Sequence, residues 1–341
     1  MTDTGWQGAP HSKTAPSPPP PINKEMSQVG NMTSMSRICI LGATSPIGID
    51  LTDALCDKGY SLNVSYQSPG LTPSTWAEKS RLHPCWADLR DRESLLQACQ
   101  GCNTVVWLIH AWQNRPGHCE DEFNAASLEW FCSVIARTNV KKLVFISSGG
   151  SVYGAPLFVP LTEDHPRNAV SSYGKTKKVM EDILLKYARQ NGLGIAILRP
   201  GNVYGTSSLL TREHGIIGAY FRSLKENKPF PLVAQGKDVR DFIHISDMIS
   251  AIELAILAQD MNMVWNIGTT IGIRIRDIVD KLQEIISAPA PRIVDLPARG
   301  SDVSVNILST ERIRQQTGWE AKVGIEEGLQ LTKEMVADQI Y

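Results

Sequence analysis

From Arg37 onward, short runs of apolar residues alternate with stretches in which apolar side chains recur every three or four positions. The runs at 37–41, 62–65, 84–86, 104–109, 143–146, 195–198 and 264–267 are continuous enough to be strands buried on both faces. Between them the helical period predicts helices over 49–56, from Leu89 to Cys99, over 121–139, from Ser172 through Tyr187, and over 246–257. Strand and helix in repeated alternation require a parallel sheet with helices on its two faces, so the expected class is a Rossmann-type, doubly wound α/β fold. Beyond Leu198 the alternation loosens, with helices expected at 216–225, 276–286, 310–316 and 325–337 and a strand at 230–233. These pieces imply a smaller, discontinuous C-terminal unit. Residues 1–35 carry many Pro, Ser, Thr and Gly and few large apolar groups, so they are expected to form a disordered tail.

Composition narrows the function classes. A chain of 341 residues that is 42% hydrophobic and 20% charged can bury a large core. Its formal charge of -1 provides no global field for nucleic acid or anionic lipid, so any anion must be met by local arginines. Seven cysteines lie scattered among predicted strands and helices, as small apolar residues of a reducing compartment would. Cys99 and Cys102 have a metal-like spacing, but nothing completes a zinc site around them. No apolar run approaches the ~18 residues of a membrane span, and no secretory leader is visible. The expected compartment is the cytoplasm, and neither a membrane nor a nucleic acid is an expected partner.

The first strand runs into Gly42-Ala43-Thr44-Ser45-Pro46-Ile47-Gly48, and a helix follows at once. Such a turn lets backbone approach a pyrophosphate, which the free N–H groups and dipole of the helix then hold. Gly42, Thr44, Ser45, Pro46, Ile47 and Gly48 are therefore candidate dinucleotide-binding residues. The second strand should end in a carboxylate if the ligand has a free adenosine ribose, yet it ends in Tyr66-Gln67-Ser68. The motif thus leaves NAD and NADP both open. Ligands of doubly wound sheets lie at the carboxyl ends of the strands, where Asp88, Leu89, Leu108, Ile109, His110, Ser147, Pro200 and Asn202 fall. His110 is read as packing beside the coenzyme ring.

The stretch from Ser147 to Lys177 carries the candidate chemistry. Tyr173 and Lys177 are four apart on a predicted helix and share a face. A free phenol titrates near ~10, so use as a base near neutral pH needs a shift of about three units, or roughly 4 kcal/mol. A neighbouring ammonium can supply part of that shift. Tyr173 would then take the proton of a hydroxyl as hydride leaves the same carbon.

Several stretches in a fixed order resemble the extended short-chain dehydrogenase/reductase family, in particular its nucleotide-sugar epimerases and dehydratases, over roughly residues 36–338. They are the glycine turn, Asp88-Leu89, Asn124, Ser147-Ser148-Gly149-Gly150-Ser151-Val152-Tyr153-Gly154, Tyr173-Gly174-Lys175-Thr176-Lys177, Asn202-Val203-Tyr204-Gly205, Arg240-Asp241-Phe242-Ile243-His244 and Asn266-Ile267-Gly268. Within the family the chain is similar to UDP-glucose 4-epimerase-like proteins of surface-polysaccharide synthesis. The resemblance implies that Tyr173 is the proton acceptor, that Lys177 bridges it to the nicotinamide ribose, and that Asp88 and Leu89 meet the adenine. It further implies that Asn202, Arg240 and Arg299 meet the substrate diphosphate or sugar, that Pro231 and Val233 flank the nucleotide base, and that Asp302 holds a ribose hydroxyl or braces Arg299. Asn124 counts among the coenzyme residues. Gly149 stands where the family has a catalytic Ser or Thr, so another hydroxyl must substitute. On an extended segment Ser151 shares the direction of Ser147, which makes Ser151 the first choice and Ser148 the second.

The resulting expectation is an NAD-dependent nucleotide-sugar C4 epimerase with a dinucleotide-binding domain of 36–198 plus 241–268, a substrate domain of 199–240 plus 269–341, and a homodimer by family precedent. An NADPH-dependent reductase of a nucleotide-linked 4-keto-6-deoxy sugar would use the same residues. A dehydratase fits less well, because no acid and base pair accompanies Gly149-Gly150. A silent coenzyme-binding regulator would keep the fold without the turnover.

Overall fold

The computed structural model describes residues 37–111, 120–135, 137–210, 215–259, 262–286, 289–298 and 303–340. The expected tail at 1–35 lies outside them. In chain order the elements are β1 (Arg37–Leu41), α1 (Pro46–Asp57), β2 (Leu62–Tyr66), β3 (Leu82–Trp86), α2 (Arg92–Ala98), β4 (Cys102–Trp107), α3 (Glu120–Ile135), β5 (Lys142–Ile146), α4 (Gly149–Val152), α5 (Ser172–Asn191) and β6 (Gly194–Pro200). There follow β7 (Asn202–Tyr204), α6 (Gly215–Lys225), β8 (Phe230–Val233), β9 (Val239–His244), α7 (Ile245–Leu257), β10 (Asn262–Ile267), β11 (Gly272–Arg274), α8 (Ile275–Ile285), β12 (Ile293–Leu296), β13 (Val305–Asn306), α9 (Glu311–Thr317) and α10 (Ile325–Ile340).

Seven strands form one sheet in the order β10-β6-β5-β4-β1-β2-β3, and every pairing is parallel. The period of two along each strand explains how both faces become core. Ile38, Ile40, Val106, Val144, Ala196 and Leu198 point to the face covered by α1 and α7. Their neighbours Cys39, Leu41, Val105, Leu143, Phe145, Ile195 and Ile197 point to the face covered by α2, α3 and α5. The sheet changes its winding direction between β1 and β4, which opens a crevice at their carboxyl ends.

The chain beyond β6 is more strand-rich than its sequence pattern indicates. β9 pairs with β7, β11 and β13 in a small separate sheet, and β8 pairs with β12. The expected boundary between 240 and 241 falls inside β9. Its centre is a third apolar cluster, with Tyr220, Phe221, Phe230, Leu232 and Leu282 buried. One further difference matters for the site: residues 149–152 are not extended but make a single helical turn, α4, which Ser148 enters with an extended backbone.

Candidate active site

A cavity of about 1180 Å³ lies across the carboxyl ends of the large sheet and continues toward α6 and β9. Its first wall is the glycine turn. Gly42 has φ +89°, a conformation that L side chains rarely adopt, and a Cβ there would lie 3.1 Å from the backbone of Leu108 and Ile109. Its N–H donates to Ser65 Oγ at 2.8 Å. A Cβ on Gly48 would fall 2.3 Å from the carbonyl oxygen of Gly42, so helix and turn approach as closely as backbone allows. Ser45 caps α1 by accepting from the Gly48 N–H at 3.1 Å. The serine in the place of a middle glycine thus has a structural explanation. Thr44, Ser45, Pro46 and Ile47 line the cavity, whereas Gly48 stands behind them.

At the end of β2, Tyr66 is not part of the wall; Ser65 and Gln67 are. Asp88, Leu89 and Arg90 continue it. Arg90 grips Asp88 through Nε at 2.9 Å and Nη2 at 2.6 Å, and Gln67 Nε2 adds a bond of 2.8 Å. The hydrogen bonds from Arg90 hold the Asp88 carboxyl down at about 2. Arg90 and Gln67 were not singled out in the sequence, although Arg90 immediately follows the Asp88-Leu89 pair. Leu108, Ile109 and His110 form the floor beyond β4. Asn124 is displaced from the expected role: its amide is buried and brackets the backbone of Ala111, accepting from its N–H at 2.9 Å and donating to its carbonyl at 3.1 Å.

The reacting groups meet where β5 ends and α5 begins. Ser171 caps α5 by accepting from the Gly174 N–H, and the helix carries Tyr173 and Lys177 toward the cavity on one face. Lys177 Nζ lies 5.7 Å from the Tyr173 ring centre and donates to the Ile146 carbonyl at 2.9 Å. His110 packs edge-on against Tyr173, ring centres 4.9 Å apart. Burial drives the Tyr173 phenol up to about 12, and a hydrogen bond with Ser148 opposes that rise. Burial also brings Lys177 down to about 8, with the Glu181 carboxylate pulling the other way. The expected lowering of the tyrosine by Lys177 is therefore not found: the phenol stands above its ordinary value.

The helical turn of α4 settles the choice of hydroxyl differently from an extended segment. Ser147 is buried, and its Oγ donates to Glu181 at 2.5 Å. Ser148 and Ser151, three apart, come onto one side of the turn with their Oγ atoms 3.2 Å apart. Both line the cavity, and Ser148, whose hydroxyl opposes the rise of the Tyr173 phenol, becomes the first candidate and Ser151 the second. Gly149 has no room for a side chain, since a Cβ would lie 2.6 Å from Leu308 Cδ1 and 2.8 Å from the Arg199 carbonyl. Gly149→Ser should accordingly lower stability by about 1–3 kcal/mol and reduce turnover, because the strand-bound carbonyl cannot yield. A urea midpoint unchanged from wild type would contradict this.

On the substrate side Asn202 and Arg240 line the cavity, next to Pro200, which was expected to meet the coenzyme, and together with Tyr204, Thr206, Leu209, Phe242 and the start of α6, which were not singled out. Arg240 is held by Asp238 at 3.1 Å and by the Val239 carbonyl at 3.0 Å. Pro231 and Val233 are not in this wall. On β8 the alternate residues Phe230 and Leu232 face the core, which turns Pro231 outward, and α6 supplies the wall in its place. Arg299 and Asp302 lie outside the described residues.

The model of the NAD dependent epimerase/dehydratase family matches residues 38–268. The chain belongs to this family. It is 28% identical over 305 residues to a putative UDP-glucose 4-epimerase of Methanocaldococcus jannaschii, an alignment that covers 86% of this chain and 95% of that protein. Other curated relatives align at 30–32% identity over 49–62% of their own length. Among solved structures it is similar to MoeE5 in complex with UDP-glucuronic acid and NAD, with 25% identity and a TM-score of 0.79 over 89% of this chain and 99% of that one. It is also similar to the UDP-glucose 4-epimerase of Thermotoga maritima with UDP-glucose, with 26% identity and a TM-score of 0.77 over 89% of this chain and 100% of that one.

The family's coenzyme fits the residues present. The close approach of Gly42 and Gly48, the N-terminal end of α1 and the strand-end Asp88 together make a cradle for a dinucleotide, with Tyr173 and Lys177 at its far end. Among the described residues no group of His, Cys, Asp or Glu is arranged to hold a metal, and no helix is long and apolar enough to cross a membrane.

Proposed function

We propose that the protein interconverts C4 epimers of a UDP-hexose, of the UDP-glucose and UDP-galactose type, using NAD that it keeps bound. The observation that carries this reading is the Ser148-Tyr173-Lys177 group at the end of a dinucleotide cradle, facing Asn202 and Arg240 across one cavity. When bound, the oxidised coenzyme supplies a hydride acceptor and a positive ring charge. Tyr173 accepts the proton of the 4-hydroxyl and returns it after the sugar has turned over. Ser148 donates to the phenolate as it forms. Lys177, anchored on the Ile146 carbonyl, holds a cation beside the ring without needing to move. Arg240 binds the diphosphate through a planar fork suited to it, so the nucleotide half stays fixed while the sugar turns. Keeping the reactants in one cavity makes each transfer intramolecular.

The test is incubation with UDP-galactose, with and without added coenzyme, followed by NMR of the sugar. Formation of UDP-glucose without added coenzyme is expected. NADPH oxidation with a 4-keto sugar, and no interconversion, would instead favour the reductase, a reading supported by the lack of an acid at Tyr66-Gln67-Ser68. Bound coenzyme without either reaction would favour the regulator.

Lys177 also sets a pH limit. A lysine brought down to about 8 by burial is charged below that pH and loses its proton above it. The rate should therefore fall as pH rises through about 8. Lys177→Arg keeps its charge across this range and should lose the descending limb, although it works more slowly. Identical limbs in the two proteins would remove the lysine from this role.

Two wider assignments complete the proposal. We place the enzyme in the cytoplasm as a homodimer, with α3 and α5 as the facing helices. The coenzyme is assigned to residues 36–198 with 241–268, and the nucleotide sugar to 199–240 with 269–341.

A further inference from the structure

We propose that Asn306 is a positioning residue for catalysis: its side-chain amide holds the carbonyl of Gly149, and thereby fixes the turn from which Ser148 reaches Tyr173. This inference rests on the reading of Tyr173 and Ser148 given above, and it assigns Asn306 no contact with substrate.

Asn306 Nδ2 donates to the Gly149 oxygen at 3.0 Å, a bond between groups 157 positions apart in the chain. Asn306 is 1% exposed. Its Oδ1 is buried and finds no donor among the described residues. A buried amide with one end unsatisfied is a poor choice for stability, and an apolar side chain of the same shape would pack there at lower cost. What the amide provides is the grip on Gly149.

The support on which Asn306 stands is firm. It pairs in register with Arg240 across β13 and β9. On either side of it, the Val239 N–H donates to the Ser304 carbonyl at 2.8 Å and the Leu161 N–H to the Ile307 carbonyl at 2.7 Å. Leu308 N–H donates to Asp241 Oδ2 at 3.2 Å. The side chain of Leu308 meets the face of Gly149, the contact that leaves that residue no room for a Cβ. The turn is thus pressed from one side by Leu308 and drawn by hydrogen bond to Asn306. α4 has only four residues, and Ser148 spends its hydroxyl on Tyr173 and Ser151 instead of capping the turn. A turn this short does not hold its own geometry, so an outside bond to its first carbonyl decides where Ser148 sits. The same small sheet carries Arg240, so the diphosphate clamp and the serine turn share one frame.

The groups facing Tyr173 define the readout. Among them are Ser148 from the turn, His110 from the end of β4 and Lys177 from its own helix. Of these, Asn306 controls only the first. In the holoenzyme the positive coenzyme ring favours the phenolate and Ser148 adds to that effect, so a displaced turn should move the ascending limb of the rate profile, which Tyr173 sets there, to higher pH.

The experiment uses the full chain with Asn306→Leu, close in volume, and Asn306→Ala, smaller, both without a donor. Steady-state rates with UDP-galactose are measured across the pH range, with coenzyme content and melting temperature recorded. Both variants should lose about tenfold in kcat, change KM by less than about twofold, and shift the ascending limb upward by about half a pH unit or more. Should Asn306→Leu fail to fold, Asn306→Ala carries the same test alone. In a Ser148→Ala background, Asn306→Leu should add little, since the two act through one bond. Wild-type kcat with an unmoved limb, or full additivity with Ser148→Ala, would overturn the proposal. Retained activity in Tyr173→Phe would instead overturn the underlying reading, so the two failures are separable.

Discussion

Tyr173→Phe should keep its coenzyme and bind UDP nearly as the wild type does, yet lose about 10²–10⁴-fold in kcat. The ring that packs against His110 remains, and only the oxygen between Ser148 and the cavity is removed. On the proposed reading, coenzyme affinity rests on other groups, chiefly the glycine turn and Lys177. The substitution therefore separates binding from chemistry. Coenzyme content measured after gel filtration, together with single-turnover rates, provides the check. A loss of coenzyme along with activity would show the tyrosine to be a structural post.

Glu181→Gln should be the most damaging change to stability, at about 3–5 kcal/mol. Glu181 has no exposure and Arg199 has 3%. The carboxylate takes bonds from Arg199 Nη2 at 2.6 Å, from Arg167 Nη1 at 2.9 Å and from Ser147 Oγ at 2.5 Å. Arg199 in turn donates to the Tyr153 hydroxyl at 2.9 Å, which donates to Asn266 Oδ1 at 2.6 Å. Neutralising Glu181 leaves a guanidinium inside the protein without its counter-charge. Urea unfolding at fixed coenzyme concentration reads the loss. A change below about 1 kcal/mol would mean that the arginine is compensated elsewhere and that the ion pair is dispensable. The site would suffer too, because Glu181 lies one turn beyond Lys177 on α5 and Ser147 directly precedes Ser148.

Much of the large sheet was legible because its strands are buried on both faces, so Leu143 to Ile146 and Ile195 to Leu198 are continuous apolar runs. The Tyr173 and Lys177 pair was legible because helical spacing is local. The small sheet was not. β7, β11 and β13 have three, three and two residues, too few for a period to register, and β9 carries Arg240, Asp241 and His244 among its apolar residues. The serine turn was misread for a related reason: Ser and Gly carry no hydrophobic signal, so an extended path and a helical turn look alike in sequence. Pro231 and Val233 were placed by family precedent, and the orientation of β8 moved them. Hidden most completely were partners set by the fold, such as Glu181 with Arg199 or Asn306 with Gly149, since no local pattern reports a bond between distant positions.

The central claim is that one cavity takes hydrogen from C4 of the sugar and gives the same hydrogen back. UDP-galactose carrying deuterium at C4, incubated with the purified protein in ordinary water without added coenzyme, tests this most directly by NMR of the product. The account predicts UDP-glucose with the deuterium still on C4. Epimerised sugar whose label has been lost to solvent, or no epimerised sugar at all, would contradict it.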